Sequence, residues 1–320
     1  MKVFLIRIFY VLYALWLVPT ANAKNQLSFD CGDHDNRIII ASGDKDSSYY
    51  KIVDDILEYC HDYACHYNIK SNNHYSVKTI KPNNTSSVTH GGFHNLELLK
   101  TNDADAGMVP LDVLIDRGEE GQHYENLKSL LALGQQAMHI IVLDNGNFKT
   151  LRDLKGETIG VWSSSIISFS IVNKIIHITD KIKSSYGDKQ EALDELKAGH
   201  ISAFIAMAVP TAPWIKALND NEVIYKIIGY NSLYILDIID KKGYYQDIEL
   251  DYSKLQNGKI VDTISSESEL LGNIDSIKKN KYSDFQKCVN DHLGSLKGRH
   301  DSFNRDVKDV LKPKWQPYQN

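Results

Sequence analysis

Apolar and polar positions alternate along this chain in blocks that predict strands and helices in turn. Arg37-Ile38-Ile39-Ile40-Ala41-Ser42 is a short apolar run ending at Gly43, the pattern of a strand buried on both faces. Asp46-Ser47-Ser48 can cap the helix that follows. That helix is expected over residues 49–66, with Ile52, Val53, Ile56, Leu57 and Cys60 on one stripe. Residues 75–80 alternate and read as a second strand. A polar, glycine-bearing loop over 83–92 leads to a helical stretch at 95–100 and a brief strand at 105–110.

A second block repeats that order. His139-Ile140-Ile141-Val142-Leu143 opens it, and 158–162 is a strand. Ser163, Ser164 and Ser165 cap a helix over 166–178, and a helix over 190–198 stops at Gly199. Residues 201–207 form a strand that runs into Val209-Pro210. The stretch 244–259 reads as polar and turn-rich, and 283–296 as an amphipathic helix. Repeated strand–loop–helix units predict parallel sheets with helices on both faces. Ligands of such folds gather at the carboxyl ends of strands, in the loops that open the helices. The loops to watch are therefore 42–50, 90–95, 162–166 and 208–211.

The N-terminus carries a different pattern. Lys2 and Arg7 precede an eleven-residue apolar run from Ile8 to Val18, followed by Ala21-Asn22-Ala23. A basic start, a run too short to span a bilayer and an A-x-A-like ending make residues 1–23 a cleavable export signal. Lys24 follows the cut, so no lipid is attached there. Export places the mature chain in the periplasm or outside the cell, where disulfides form. Cys31, Cys60, Cys65 and Cys288 then allow up to two disulfides in three connectivities. Five positions on a helix turn through about 140°, which disfavours a Cys60–Cys65 pair.

Composition narrows the function. With 42% hydrophobic and 24% charged residues among 320, the chain is an ordinary globular protein of one large or two medium domains. Its formal charge of −5 gives no reason to expect nucleic acid. Losing Lys2 and Arg7 with the signal takes that −5 to −7 (−5 − 2). Catalytic signals are few. Ser48-Tyr49-Tyr50-Lys51 matches S-x-x-K without that class's companion motifs, and no G-x-S-x-G, H-E-x-x-H or P-loop occurs. Cys60-His61 and Cys65-His66 fit no zinc-ligand spacing, and the His90/His94 pair would need two more ligands that the sequence does not indicate. These motifs give no reason to expect an enzyme, a cofactor or a metal site.

Five ordered segments carry a family resemblance. They are Ser47-Ser48-Tyr49-Tyr50, Gly91-Gly92-Phe93-His94-Asn95, Asp103-Ala104-Asp105-Ala106-Gly107-Met108-Val109, Leu151-Arg152-Asp153-Leu154-Lys155-Gly156, and the run from Ala192 to Phe204. Together, over about residues 37–245, they resemble the TAXI family, the extracytoplasmic solute receptors of TRAP-type transporters. The resemblance implies the α/β fold of type 2 periplasmic binding proteins: two doubly wound α/β lobes joined by two crossing strands, with a ligand cleft between them. Lobe 1 would comprise 24–138 and 264–320, and lobe 2 residues 139–263. The crossings would lie near 138–142 and 261–266. Carried onto matching positions, ligand contacts would come from Ser42, Tyr49, Tyr50, Gly92, Phe93 and Asn95 in lobe 1. Lobe 2 would add Ser163, Ser164, Ser165, Ala208 and Val209.

Physics supports the same positions. A capped helix start offers free N–H groups and a positive dipole end to an anion, and Tyr50, Phe93 and Trp162 can wall an apolar ligand part. The serines can equally be a plain N-cap, and Tyr49, Tyr50 and Trp162 can equally be core. The expected function is capture of a small anionic or zwitterionic ligand, an amino acid or organic acid, by a monomer that serves TRAP membrane subunits. The loops depart from the family: one glycine stands in 42–46, and Phe93 follows Gly92 where a small residue is usual. Bulkier loops leave less room for close backbone approach. The alternative is therefore an exported interaction or effector protein that reuses the fold without transport.

Overall fold

The computed structural model describes residues 37–43, 47–67, 91–119, 124, 126–145, 147–184, 186, 189–209, 212–218, 225–230, 237–238, 244–251, 260–273 and 279–299. The export signal, the strand expected at 75–80, Cys31 and His90 lie outside the described residues.

Strand β1 (Ile38–Ala41) forms where the apolar run predicts it. Ile38 and Ile40 pack on helix α1 (Ser48–Cys60), whose stripe of Ile52, Val53, Ile56, Leu57 and Cys60 is buried. Ser47 caps that helix by accepting a 3.1 Å hydrogen bond from the Tyr50 amide. The helix ends at Cys60, six residues earlier than its periodicity suggests. A turn follows, and Ala64–His66 forms strand β2, parallel to β1 with Ile38 opposite Ala64. The ladder offered by β1 outcompetes another turn of helix, because strand pairing is set by context more than by intrinsic preference.

Helix α2 (Gly92–Lys100) starts three residues before its predicted position. Strand β3 (Ala106–Pro110) and helix α3 (Leu111–Glu119) follow it. The long strand β4 (Leu127–Leu143) then crosses the molecule. Beyond it come β5 (Ile159–Val161), α4 (Ile166–Ile176), β6 (Ile182–Lys183), α5 (Lys189–Lys197) and β7 (Ala203–Ala208). The short helix α6 (Pro213–Lys216) and strands β8 (Tyr225–Ile228) and β9 (Tyr245–Asp251) lead to the second long strand, β10 (Ile260–Asn273). Helix α7 (Lys279–Arg299) closes the described chain.

Ten strands hydrogen-bond in one continuous sheet, ordered β2-β1-β3-β10-β4-β7-β5-β6, with β8 beside β4 and β9 beside β10. The expectation of parallel sheets holds at the flanks: β1 is parallel to β2 and β3, and β5 to β6 and β7. The centre is antiparallel. There β4 and β10 pair from Leu127↔Asn273 to Ala137↔Ser265. From Ala137 onward β4 takes β7 as a partner, while β10 takes β9 from Ser266 to Ile260. Two strands passing in opposite directions between two parallel flanks must be antiparallel to each other. Strand β9 lies within the stretch that its polarity marked as turn-rich. It pairs at an edge, where exposed Gln246, Asp247 and Glu249 cost little.

The continuous apolar run at 137–143 has its reason here. Met138, Ile140 and Val142 enter one core cluster, and Ala137 and Ile141 enter another on the opposite face. His139 is fully buried within this run and donates Nδ1–H to the Ala137 carbonyl at 2.9 Å. Burial depresses its pKa to about 4, so it folds as the neutral ring.

Cys60 of α1 and Cys288 of α7 form a disulfide across 228 positions, and Cys65 is also disulfide-bonded. Cys60 and Cys65 are thus not paired with each other, although the helix ends between them and Cys65 lies on β2, so helical spacing is not the reason. No described helix is long and apolar enough to cross a membrane.

The Cys60–Cys288 crosslink restrains a very long loop in the unfolded chain. A Cys60→Ala/Cys288→Ala variant is expected to lose about 3–5 kcal/mol of stability, read as a lower urea midpoint. An unchanged midpoint would contradict this role for the clip.

Candidate functional site

The parallel flanks point their carboxyl ends at one cleft. Gly43 follows β1, Pro110 ends β3, Trp162 follows β5 and Ala208 ends β7; all four line it. Ser47, Ser48 and Tyr49 add the start of α1, Gly91 and Gly92 the start of α2, and Ser164 the turn before α4. Gln136 of β4 is buried at the crossing, and Met207, Lys189 and Trp214 complete the far side. About 40 Å³ remains inside, roughly the space of three waters.

Two glycines make the approach possible. Gly91 adopts φ +93°, and a Cβ there would lie 2.6 Å from the Ser164 Cβ. The backbone before α2 therefore touches the serine turn of the other flank directly. A Cβ on Gly92 would lie 2.2 Å from Pro110 Cδ, so that position also demands glycine.

The expected ligand residues divide into two groups. Tyr49, Gly92, Trp162, Ser164 and Ala208 meet in the cleft. Ser42, Tyr50, Phe93, Asn95, Ser163, Ser165 and Val209 do not line it. Most of these have visible structural duties. Asn95 is fully buried and donates from Nδ2 to the Ser42 and Met108 carbonyls, both at 2.7 Å, tying the ends of β1 and β3 together. Ser165 accepts from the Met207 amide at 2.8 Å. The Phe93 ring lies under the Arg117 guanidinium at 4.5 Å. Val209 packs on the core beside β7, and Ser163 is half-buried.

Tyr50 stacks on His66 with centroids 4.2 Å apart. His66 bonds Asp54 through Nε2 at 2.8 Å and Ser42 Oγ through Nδ1 at 3.3 Å. This Ser–His–Asp line resembles a hydrolase triad only in order. Ser42 is buried outside the cleft, where no substrate carbonyl reaches its oxygen. In the S-x-x-K match, Ser48 lines the cleft while Lys51 is exposed. Cys60, Cys288 and His292 cluster within 4.8 Å, but both sulfurs are held in the disulfide.

Sequence reasoning missed Gln136, Lys189 and Trp214. Gln136 sits in a strand segment without a marked pattern. Lys189 carried one faint signal: a cation at the first position of a helix opposes the dipole.

A buried polar network stands behind the cleft. Tyr49 shares a 2.7 Å hydrogen bond with Ser268 of β10. Asp112 of α3 accepts from the Tyr245 hydroxyl of β9 at 2.9 Å, and its amide donates to Ser266 Oγ at 3.1 Å. The Ser168 hydroxyl of α4 lies beside this carboxyl but outside strict hydrogen-bond geometry. Helices α3 and α4 and strands β9 and β10 thus converge on Asp112. Burial raises its pKa above the ordinary carboxylate range.

Comparison with known proteins follows the same fold. The model of the NMT1-like family matches residues 40–281. No curated protein sequence matches the chain. Among solved structures, the chain is similar to an arginine third transport system periplasmic binding protein from Legionella pneumophila. That match has 14% identity, covers 83% of this chain and 99% of the other, and has a TM-score of 0.48. It is also similar to the arginine-, lysine-, histidine-binding protein ArtJ from Geobacillus stearothermophilus, at 15% identity, 87% and 100% coverage, and a TM-score of 0.48.

Two expectations follow from this geometry. Gly91→Ala should push the flanks apart at Ser164, enlarging the radius of gyration in small-angle scattering, and cost about 1–3 kcal/mol of backbone strain. Adding Ser164→Gly should restore the compact size but not the strain. An equally compact Gly91→Ala protein would show that the contact does not limit closure.

The second concerns pH. A carboxyl whose folded pKa is raised binds its proton more tightly in the folded state. Asp112 therefore makes stability fall as pH rises from the ordinary carboxylate range through its raised value. The depressed His139 acts oppositely, adding stability as pH rises from about 4 towards its ordinary value. The difference between wild type and Asp112→Asn isolates the first effect: its falling limb should vanish from urea stabilities measured across pH. Parallel curves would refute the assignment.

Proposed function

Because the chain belongs to the NMT1-like family, we propose that it is an extracytoplasmic solute-binding protein that closes two lobes on a small ligand. The lobes are residues 24–138 with 264–320, and 139–263. The observation that carries the reading is the convergence of strand ends and helix starts from both flanks on one cleft, closed by the Gly91 backbone against Ser164. The Gly91 backbone already touches Ser164 across the cleft mouth, so entry of a ligand calls for the lobes to part. The hinge is the pair of long strands β4 and β10, which among the described residues join the two flanks.

The ligand is a small anionic or zwitterionic solute, an amino acid or organic acid. Helix starts at Ser48 and Gly92 and the Ser164 hydroxyl favour a carboxylate despite the negative net charge. The resemblance to TAXI receptors makes TRAP-type membrane subunits the partner. Amino-acid binding by the structural neighbours named above agrees with the ligand class. The protein binds and releases without chemistry and acts as a monomer in the periplasm or outside the cell, after removal of residues 1–23.

A second reading, an exported interaction protein on the same fold, is favoured by the small closed cleft and the bulky loops. A thermal-shift screen of amino acids, organic acids and phosphonates separates the two. A true ligand at 100 times its Kd adds about 2.7 kcal/mol and raises the melting temperature. No stabilisation across the panel, with the protein recovered from culture supernatant, would replace the receptor reading by the second.

A further inference from the structure

Two indole rings in the cleft already hold a cation. The Lys189 Nζ lies 4.8 Å from the Trp162 ring centroid and 5.8 Å from that of Trp214. Both are within the roughly 6 Å at which an ammonium is attracted by an aromatic face. The rings are fixed from behind by fully buried Phe204. Trp162 meets it edge-on at 6.3 Å, and Trp214 is tilted against it at 6.5 Å. Tyr186 braces the same ring edge-on at 6.1 Å. This is a preformed aromatic corner, and its two indoles line the cleft.

Lysine is poorly suited to its own position. As the first residue of α5 it opposes the helix dipole. Its long stem also loses rotamer freedom when held. The two ring faces help to offset these costs. A net charge of −7 for residues 24–320 (−5 − 2) moreover steers cations, not anions, towards the molecule.

We propose that the Trp162–Trp214 corner is the subsite for an ammonium group of the ligand, and that Lys189 fills it here as a tethered stand-in. Resting on the solute-binding reading above, this makes the ligand class a small organic ammonium compound, and among amino acids and organic acids it selects the zwitterions. Binding displaces the Lys189 ammonium, whose flexible stem lets it swing aside within the cleft. Lys189 is then an internal competitor that sets affinity without being part of the cation site. A pure anion would instead need Lys189 to stay.

The test uses tetramethylammonium chloride, a cation with no acid group, titrated against the intact mature protein with indole fluorescence as readout. Lys189→Ala should bind it about ten-fold more tightly than wild type, the factor expected if lysine occupies the corner nine-tenths of the time. Trp214→Leu should abolish the signal while circular dichroism and the melting temperature stay near wild type. Should Trp214→Leu fail to fold, Trp214→Phe, which keeps a weaker ring face, should bind with intermediate affinity. Unchanged or weaker binding to Lys189→Ala overturns the proposal. If tetramethylammonium binds neither protein, but an acid from the ligand panel binds wild type and not Lys189→Ala, Lys189 is an anion anchor and the solute-binding reading survives alone. If nothing in either set binds, both readings fall.

Discussion

The antiparallel ladder between β4 and β10 is the constraint on which the rest of the molecule depends. It runs from Leu127↔Asn273 to Ala137↔Ser265, and beyond it each strand changes partners. One flank of parallel strands hangs from the first part and the other from the continuation. Each flank keeps a core cluster of its own on either side of the strands that join them. Gln136, next to the point of divergence, is buried at the floor of the cleft. In the proposed reading, hinge and binding surface are therefore one place.

The cleft is made by direction more than by any single side chain. Parallel strands deliver all their carboxyl ends to one side, and helices begin there. Glycine at 91 and 92 lets those beginnings approach where a Cβ would collide. Behind them, Asn95 fixes the loop after β1 to the end of β3. The polar residues that look most like ligand contacts in the chain are partly spent on such backbone duties. Among the described residues, the polar and aromatic groups that line the cleft are hydroxyls, amides, two indoles and the Lys189 ammonium.

Buried ionisable groups place a second demand on the same region. Asp112 is fully enclosed where α3, α4, β9 and β10 meet. A carboxyl in that setting is tolerable because the Tyr245 hydroxyl donates to one of its oxygens and because its proton is retained more readily. His139 on the neighbouring crossing strand is enclosed as a neutral ring. The joint between the flanks is consequently polar and directional, which suits a contact with one preferred geometry.

The sequence by itself determined the α/β pattern, the stripe of α1, the buried run of β1 and the helix starts at which the cleft forms. These are local matters of period and capping, and periodicity reports them faithfully. It also marked Trp162 and Ser164, because residues just past a strand end have few other places to go. Only the tertiary structure decided the rest. It cut α1 at Cys60 in favour of β2, made a strand of polar 245–251 beside β10, and extended β4 back to Leu127. It withdrew Ser42, Asn95 and Ser165 into backbone support, chose Cys288 as the partner of Cys60, and brought Lys189 between Trp162 and Trp214. Each of those outcomes depends on residues tens to hundreds of positions apart meeting across the sheet. No window along the chain contains both partners, so no local pattern could have shown them.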